Sequence, residues 1–329
     1  MPEDEFEWIR KHMPDRYHQA GLIEGIGDDA ALYEPDRNRI EIICVDTMVE
    51  GIHFRKDTLS PEDIGHKALA VNISDVAAMG GFPVFYVVSM AIPPQWTDED
   101  LSGIYRGMKH LSDKYEADMI GGDTVSSPHD LVITVTVTGY TEKNTRLLRR
   151  NARPGDVVFI TGPTGRSAAG LKLLLDKGRH ALYTATEKML ISYHQRPQPR
   201  VKAGRIAADL KSRISLNDIS DGLASEAWEI AEASGVKILL NEAQLPEADE
   251  LKGFPVGQRL DWMLYGGEDF ELIGTIPAAD WPRLQNMMAA ADQPVFSIGE
   301  VTEGPASVIL NTKIGKDEKL TKKGYNHFK

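Results

Sequence analysis

The chain is short of cysteine, of long apolar runs and of positive charge, and each shortage narrows what it can be. Cys44 is the single cysteine among 329 residues, which excludes an intrachain disulfide and any multi-cysteine zinc site. The longest apolar stretch, 82–92, is interrupted by Pro83 and Ser89 and falls well below the roughly 20 residues that a membrane-spanning helix needs. The opening Met-Pro-Glu-Asp-Glu lacks the basic start and apolar run of a secretory leader, so a cytoplasmic location is expected. With 37 Lys+Arg against 49 Asp+Glu and a net charge of −12, the chain is no nucleic-acid coat, since affinity for phosphate backbones comes from clustered Lys and Arg. Neither nucleic acid nor membrane is expected as a partner. Familiar nucleotide signatures are missing too: there is no G-x-x-x-x-G-K-[ST] loop, no kinase H-R-D with D-F-G, and no G-x-S-x-G elbow. Gly162-Pro-Thr-Gly-Arg-Ser167 lacks the phosphate-loop lysine and reads as a tight strand-to-helix turn.

What is present describes an ordinary globular protein: 42% hydrophobic and 26% charged residues, long enough for two domains of roughly 100–200 residues. β-Branched runs alternate with helical patterns. Strands are expected over 40–46, 131–138, 157–161, 214–216, 236–240, 270–276, 295–298 and 307–310, the second from its strict alternation of apolar residues with Thr. Helices are expected over 60–79, where Ser60 and Pro61 form an N-terminal signature, over 97–114, from Arg166, over 186–194 and 199–211, and from Gly222. A basic, turn-prone segment, 143–155, has the composition of a boundary. The expectation is a mixed α/β (α+β) fold with domains at 1–145 and 146–329.

The most informative pattern is aspartate beside glycine or at an element's end, five times over: Gly27-Asp28-Asp29, Val45-Asp46-Thr47, Ser74-Asp75, Gly121-Gly122-Asp123 and Asp218-Ile-Ser220-Asp221-Gly222. One such motif is ordinary turn chemistry. Asp46 and Asp75, however, sit in strongly apolar sequence, where a carboxylate is costly unless paired or bound to metal. Oxygen-only donors suit Mg²⁺, whose shell is usually completed by substrate phosphates. Gly121 and Gly122 let backbone N–H groups approach an anion. Arg149, with Arg146 and Arg150, offers forks for phosphate, or else forms a solvated loop. These features point to phosphoryl chemistry on a nucleotide.

Taken together, Gly27-Asp-Asp-Ala30, Val45-Asp-Thr47 with Gly51-Ile-His53-Phe54, Lys67-Ala-Leu-Ala-Val-Asn-Ile-Ser-Asp75, Gly121-Gly-Asp-Thr124, Asp218-Ile-Ser-Asp-Gly-Leu223 and Gly266-Gly-Glu-Asp-Phe-Glu-Leu272 resemble the thiamine-monophosphate kinase family. That family lies within a superfamily that includes aminoimidazole ribonucleotide and selenophosphate synthetases. The resemblance implies two α/β domains and a homodimer whose N-terminal domains, binding metal and ATP, join strands into a barrel. The C-terminal domain would close the cleft. It implies ATP as co-substrate, thiamine monophosphate as acceptor and several Mg²⁺ ions. Carried over by position, Asp29, Asp46, Asp75, Asp123, Asp218 and Asp221 would hold metal, with Cys44 and Val45 offering backbone only; Asp28 is adjacent. Gly122, Arg149 and Ser220 align with nucleotide contacts, and His53, Glu268 and Tyr325 with contacts to thiamine phosphate. On the residues alone, His53 beside Phe54 reads as an ordinary partly buried histidine and Glu268 as the start of a strand.

The implied reaction is direct in-line transfer from ATP to a phosphate oxygen, giving thiamine diphosphate. Its nucleophile is already anionic, which fits a chain with no evident catalytic His–Asp or Ser–His arrangement. The rival readings are another ATP-dependent enzyme of the superfamily, a metal-dependent phosphohydrolase, and a non-catalytic nucleotide-binding module. Selenophosphate synthesis would call for a reactive cysteine near the N-terminus, whereas Cys44 falls within an expected strand.

Overall fold

The computed structural model describes residues 14, 16–24, 26, 31–36 and 38–322. The chain divides into two compact units. The first takes the chain up to Val76 with Phe82–Lys143 and Leu174–Ala181; the second takes Ala77–Gly81, Asn144–Leu173 and everything from Leu182 onward.

In the first unit a short ladder, β1 (Leu22–Glu24) with β2 (Leu32–Tyr33), precedes a four-stranded sheet. The sheet comprises β3 (Arg39–Val49), β4 (Phe82–Ile92), β5 (Asp118–Ser126) and β6 (Val132–Glu142), ordered β3-β6-β4-β5. Only β4 and β5 pair in parallel. Helix α1 (Pro61–Ala78) follows β3, and α2 (Asp98–Tyr115) makes the crossover from β4 to β5. Thr97 and Asp100 close a reciprocal capping box at the start of α2, satisfying two backbone donors that a helix start otherwise leaves open. Alternation along β3 puts Ile42 and Met48 in the core while Ile43 and Val45 lie exposed, as the two-residue period of a strand requires. The outward face of β3 is thus left uncovered among the described residues.

Two helices usually pack with axes 8–10 Å apart. Here their backbones touch: a Cβ on Gly65 would lie 1.8 Å from the Ile104 carbonyl oxygen, and one on Gly107 would lie 1.9 Å from that of Glu62. Glycine at both positions is what permits the crossing of α1 and α2.

The second unit is built on a seven-stranded sheet, ordered β13-β12-β9-β11-β7-β10-β8. Its strands are β7 (Asp156–Ile160), β8 (Ser215–Asp218), β9 (Lys237–Asn241), β10 (Leu272–Pro277), β11 (Phe296–Thr302), β12 (Ser307–Asn311) and β13 (Asp317–Lys319). The helices are α3 (Arg166–Lys177), α4 (Ala185–Gln195), α5 (Val201–Asp209), α6 (Leu223–Ser234), α7 (Val256–Tyr265) and α8 (Trp281–Ala290). Phe159, Leu216, Leu272 and Ile276 pack with Leu284 and Met288 in its core, and Trp281 stacks on Phe159 at 5.9 Å. Asp156, 2% exposed, is held by both Nη atoms of Arg213 at 2.7 Å.

The fold is mixed α/β, with strands at the positions expected for 40–46, 131–138, 157–161 and the later segments. Gly121 and Gly122 lie inside β5, and Asp75 lies inside α1, three residues before its end, within the helix expected over 60–79. Gly122 leaves room for the neighbouring strand, because any Cβ there would come 2.2 Å from the Val88 oxygen.

Replacing Gly107 by Ala should destabilise the first unit by about 1–3 kcal/mol, the usual cost of overpacking. Gly253→Ala, where a Cβ meets nothing within 4 Å, should be near neutral. Urea midpoints of the two variants check this.

Candidate active site

The carboxylates of the first unit begin with Asp46, the fourth residue from the end of β3. Its even-numbered neighbours face α1, and so does Asp46: its carboxyl hydrogen-bonds that of Asp75. Burial raises the Asp46 pKa, and only partly does the contact with Asp75 pull it back. Two residues closer to the strand's start, the Cys44 thiol donates to the Asn72 carbonyl at 3.3 Å. Burial, then the negative charges of Asp75 and Asp46, push its pKa far up, so Cys44 is an inert thiol that leaves only its backbone for any ion. One turn before Asp75, the buried Asn72 Oδ1 has no hydrogen-bond partner among the described residues. Two carboxylates in contact and partly withdrawn from water, near an unsatisfied amide oxygen, form a donor set that fits a hard divalent cation.

Asp123 is elsewhere on the sheet. The register runs Asp46–Val135–Val88–Gly122 in one row and Thr47–Thr134–Ser89–Asp123 in the next. Asp46 and Gly122 therefore lie three strand spacings apart, about 14 Å at ~4.8 Å each. Asp123 shares its face with Ser89 and Thr134, not with Asp46. One chain does not bring Asp46 and Asp123 to a common ion.

His53 sits in a tight turn after β3. Gly51, at φ +82°, donates to the Phe54 carbonyl at 2.8 Å, and the His53 backbone donates to Val49 O at 2.9 Å. The Val49 N–H in turn points to His53 Nδ1 at 3.0 Å, so Nδ1 is the acceptor and Nε2 carries the proton. Below the turn, Phe54 packs edge-on to Trp96, whose indole donates to Glu50 at 2.9 Å. At the start of β5 lies a cavity of about 360 Å³, bordered by Tyr86, Ser102, Tyr105, Arg106 and Met119.

In the second unit, Asp218 closes β8 and is 4% exposed. The loop after it, Ser220–Gly222, starts α6. Arg149 is anchored through Nε to Asn217 Oδ1 at 2.9 Å and through Nη1 to Glu229 at 3.1 Å, so its half-exposed guanidinium is held in one direction. Asn217 also donates to Glu226, a residue that the motifs do not mark. Glu226 accepts from Ser220 Oγ at 3.3 Å and from Asp221 N at 3.2 Å. Burial, with Glu229 and Asp218 as negative neighbours, pushes Glu226 up to about 9. Negative charge is concentrated around the Asp218–Asp221 loop as it is around Asp46.

Glu268 lies across a small ladder from that loop. It adopts φ +65°, and its N–H donates to Ser220 O at 2.6 Å, while Phe270 N donates to Ile219 O and Ile219 N to Glu271 O. The two acids that follow it are structural. Asp269 accepts from Gly165 N at 2.5 Å and Ser167 N at 3.1 Å, capping α3; burial nevertheless pushes it up to about 7. Glu271, 1% exposed, receives Arg166 at 3.0 Å, Arg200 and Thr161. The Gly-Gly-Glu-Asp-Phe-Glu-Leu signature is legible in the sequence, but which acid faces outward is not, since their partners lie up to 110 residues away along the chain.

Asp28, Asp29 and Tyr325 lie outside the described residues. Among the described residues, no three or more His, Cys, Asp and Glu side chains gather as a ready-made cation cage. No described helix is long and apolar enough to cross a membrane.

Comparison with known proteins places this chain in a family. Residues 27–141 match the model for "AIR synthase related protein, N-terminal domain", and 153–311 match its C-terminal counterpart. The two units thus carry the AIR synthase-related architecture. Thiamine-monophosphate kinase of Bacillus subtilis is 48% identical over 99% of this chain and 100% of its own length, and that of Escherichia coli K12 is 36% identical over 98% of each. Among solved structures, thiamine-monophosphate kinase from Stenotrophomonas maltophilia superposes with a TM-score of 0.83 at 30% identity, covering 94% of this chain and 95% of that one. AaThiL complexed with AMPPCP and TMP gives 0.77 at 33%, covering 92% of each. Escherichia coli HypE, at 18% identity and 0.77 over 98% of each chain, shares the fold. The chain belongs to the thiamine-monophosphate kinase family.

Asp269 offers a pH test of this geometry. Its folded-state pKa of about 7 exceeds the ordinary carboxyl value, so the folded protein keeps a proton that the unfolded chain has already lost. Its contribution is complete at acid pH and is lost as pH rises towards 7. The Tm difference between pH 5 and pH 8 should therefore shrink in Asp269→Asn relative to wild type, as thermal scans at the two pH values would measure.

Proposed function

We propose that this chain phosphorylates thiamine monophosphate to thiamine diphosphate with ATP and Mg²⁺, by direct in-line transfer, as a cytoplasmic homodimer. The observation that carries the reading is the Asp46–Asp75 pair, two acids in contact and partly withdrawn from water, in a chain whose full length matches this kinase family. The binding of AMPPCP and TMP by AaThiL supports the choice of both substrates.

In this reading Asp29, Asp46, Asp75, Asp123, Asp218 and Asp221 hold the ions, with the backbones of Cys44 and Val45. Mg²⁺ would neutralise the charge that builds up between two phosphate chains and withdraw it from the leaving oxygen. The protein's own groups do the rest. Gly122, packed against Val88 of the neighbouring strand, meets the nucleotide through its backbone. Arg149, fixed by Asn217 and Glu229, presents a directed cation to the nucleotide, alongside Ser220. His53, held with its proton on Nε2, donates to the acceptor's phosphate, and Glu268 and Tyr325 receive the rest of the acceptor. No general base is needed, because the attacking oxygen is already ionised. Division of labour follows the sequence expectation, 1–145 binding metal and nucleotide and pairing the protomers, 146–329 closing over the substrates.

The homodimer is supported by the sheet itself. Ile43 and Val45 are 75% and 58% exposed on a strand face that no described residue covers, and among the described residues β3 and β5 are the open edges of the sheet. A second copy placing its β5 beside the first copy's β3 would pair both edges and close the two sheets over that face.

Asp46→Asn and Asp75→Asn should each lower kcat by about 100-fold or more, the scale of removing a preorganised charge interaction, and should abolish the rise in Tm that Mg²⁺ gives the wild type. ADP release with thiamine monophosphate present or omitted, in Mg²⁺ or EDTA, checks the reaction; free phosphate in place of thiamine diphosphate would mark a phosphohydrolase. Ile43→Glu should yield a monomer by light scattering, inactive yet folded, while Asp46→Asn remains a dimer.

A further inference from the structure

The residues around Glu268 form an arrangement that the reaction scheme does not use. His194, in the last turn of α4, is 2% exposed. Its Nδ1 lies 3.3 Å from Glu268 Oε2 and 3.2 Å from Ser167 Oγ. Glu268 is the outward-facing acid of its segment, with a side chain 30% exposed, whereas Asp269 and Glu271 are consumed by helix α3 and by Arg166 and Arg200. The chain around α4 therefore grips this segment twice. His194 reaches Glu268, and six residues later Arg200 reaches Glu271. Between them, the backbone of Gly165 and Ser167 holds Asp269.

That pattern assigns different work to the three acids. Glu268 has a left-handed backbone, so its peptide is fixed by the ladder to Ser220. The ladder does not set the side-chain torsions, and a glutamate has three rotatable bonds to order. A buried imidazole N–H donating to the carboxylate removes that freedom, because a charge-assisted bond is roughly twice as strong as a neutral one.

We propose that His194 is a positioning residue for the acceptor substrate: Nδ1–H, shared with Ser167 Oγ, aims the Glu268 carboxylate at a hydrogen-bond donor or positive charge on the thiamine moiety. The inference rests on the reading that Glu268 meets the acceptor. It makes acceptor affinity depend on a side chain that touches no substrate and stands in a different helix.

Steady-state kinetics of the full-length enzyme test it with three substitutions. His194→Phe fills the volume without the donor; His194→Asn restores a donor near the Nδ1 position. His194→Phe should raise KM for thiamine monophosphate about tenfold, the scale of one hydrogen bond to a charged group, with kcat and the KM for ATP changed less than about threefold. His194→Asn should recover most of the loss. In a Glu268→Ala background, His194→Phe should add nothing further, as expected when two groups act through one interaction. If His194→Phe matches wild type, or raises both KM values together, or keeps its full effect when Glu268 is absent, the inference is overturned while Glu268 keeps its assignment. If Glu268→Ala leaves the acceptor KM unchanged, the assignment of Glu268 itself falls, and the inference with it.

Discussion

Negative charge held where water is scarce is the constraint from which the rest of this molecule can be understood. The protein buries carboxylates in two ways. Asp156 is clasped by Arg213, and Glu271 by Arg166 and Arg200; these acids are neutralised inside the chain and serve the fold. Asp46 instead meets Asp75, and Glu226 meets Glu229 and Asp218. Burial raises the proton affinity of Asp46 and, together with its like-charged neighbours, that of Glu226, and a fold that tolerates this has reserved the compensation for something it binds. Whether a carboxylate faces an arginine or another carboxylate thus sorts structural acids from candidate ligands more sharply than their position in motifs does.

The same constraint explains the rigidity around these groups. Carboxylates that repel must be held by elements that do not yield. In the first unit, α1 carries Asp75 and is locked to α2 by backbone contact at Gly65 and Gly107. Asp46 sits in a strand paired with β6 over eleven residues. In the second unit the Ser220 loop is stitched to Glu268–Glu271 by backbone hydrogen bonds. Each charged group therefore has a fixed address set by glycine and by ladder, not by its own side-chain preferences.

Much of the fold is legible in the sequence, because strands such as 131–138 advertise their period and helix starts such as Ser60-Pro61 carry their caps. β4 gives no such signal, being buried along most of its length and so lacking alternation; its run of apolar residues reads only as too short for a membrane. Helices α7 and α8 are equally quiet, having modest apolar stripes around Trp262 and Trp281. For the site, the aspartates are visible as a set, but their grouping is not. That Asp46 joins Asp75 while Asp123 stands at the opposite sheet edge depends on strand order, which one sequence does not encode locally. Glu226, Asp269, Glu271 and His194 are silent for a related reason: a side chain's role is decided by its partner, and most of theirs are distant along the chain.

The cap on α3 carries a consequence for how the protein is made. Helix α3 begins at Arg166, but the carboxylate that satisfies Gly165 and Ser167 belongs to Asp269, 104 and 102 positions downstream. On a ribosome extending at about 5–20 residues per second, that helix start waits roughly 5–20 s with its donors open to water. The first unit's sheet, complete by Glu142, has by then emerged in full. Newly synthesised chains would therefore spend their vulnerable interval with one half folded and the other tied off only when its distant acid arrives, so proteolysis and chaperone capture during synthesis should concentrate in the second half.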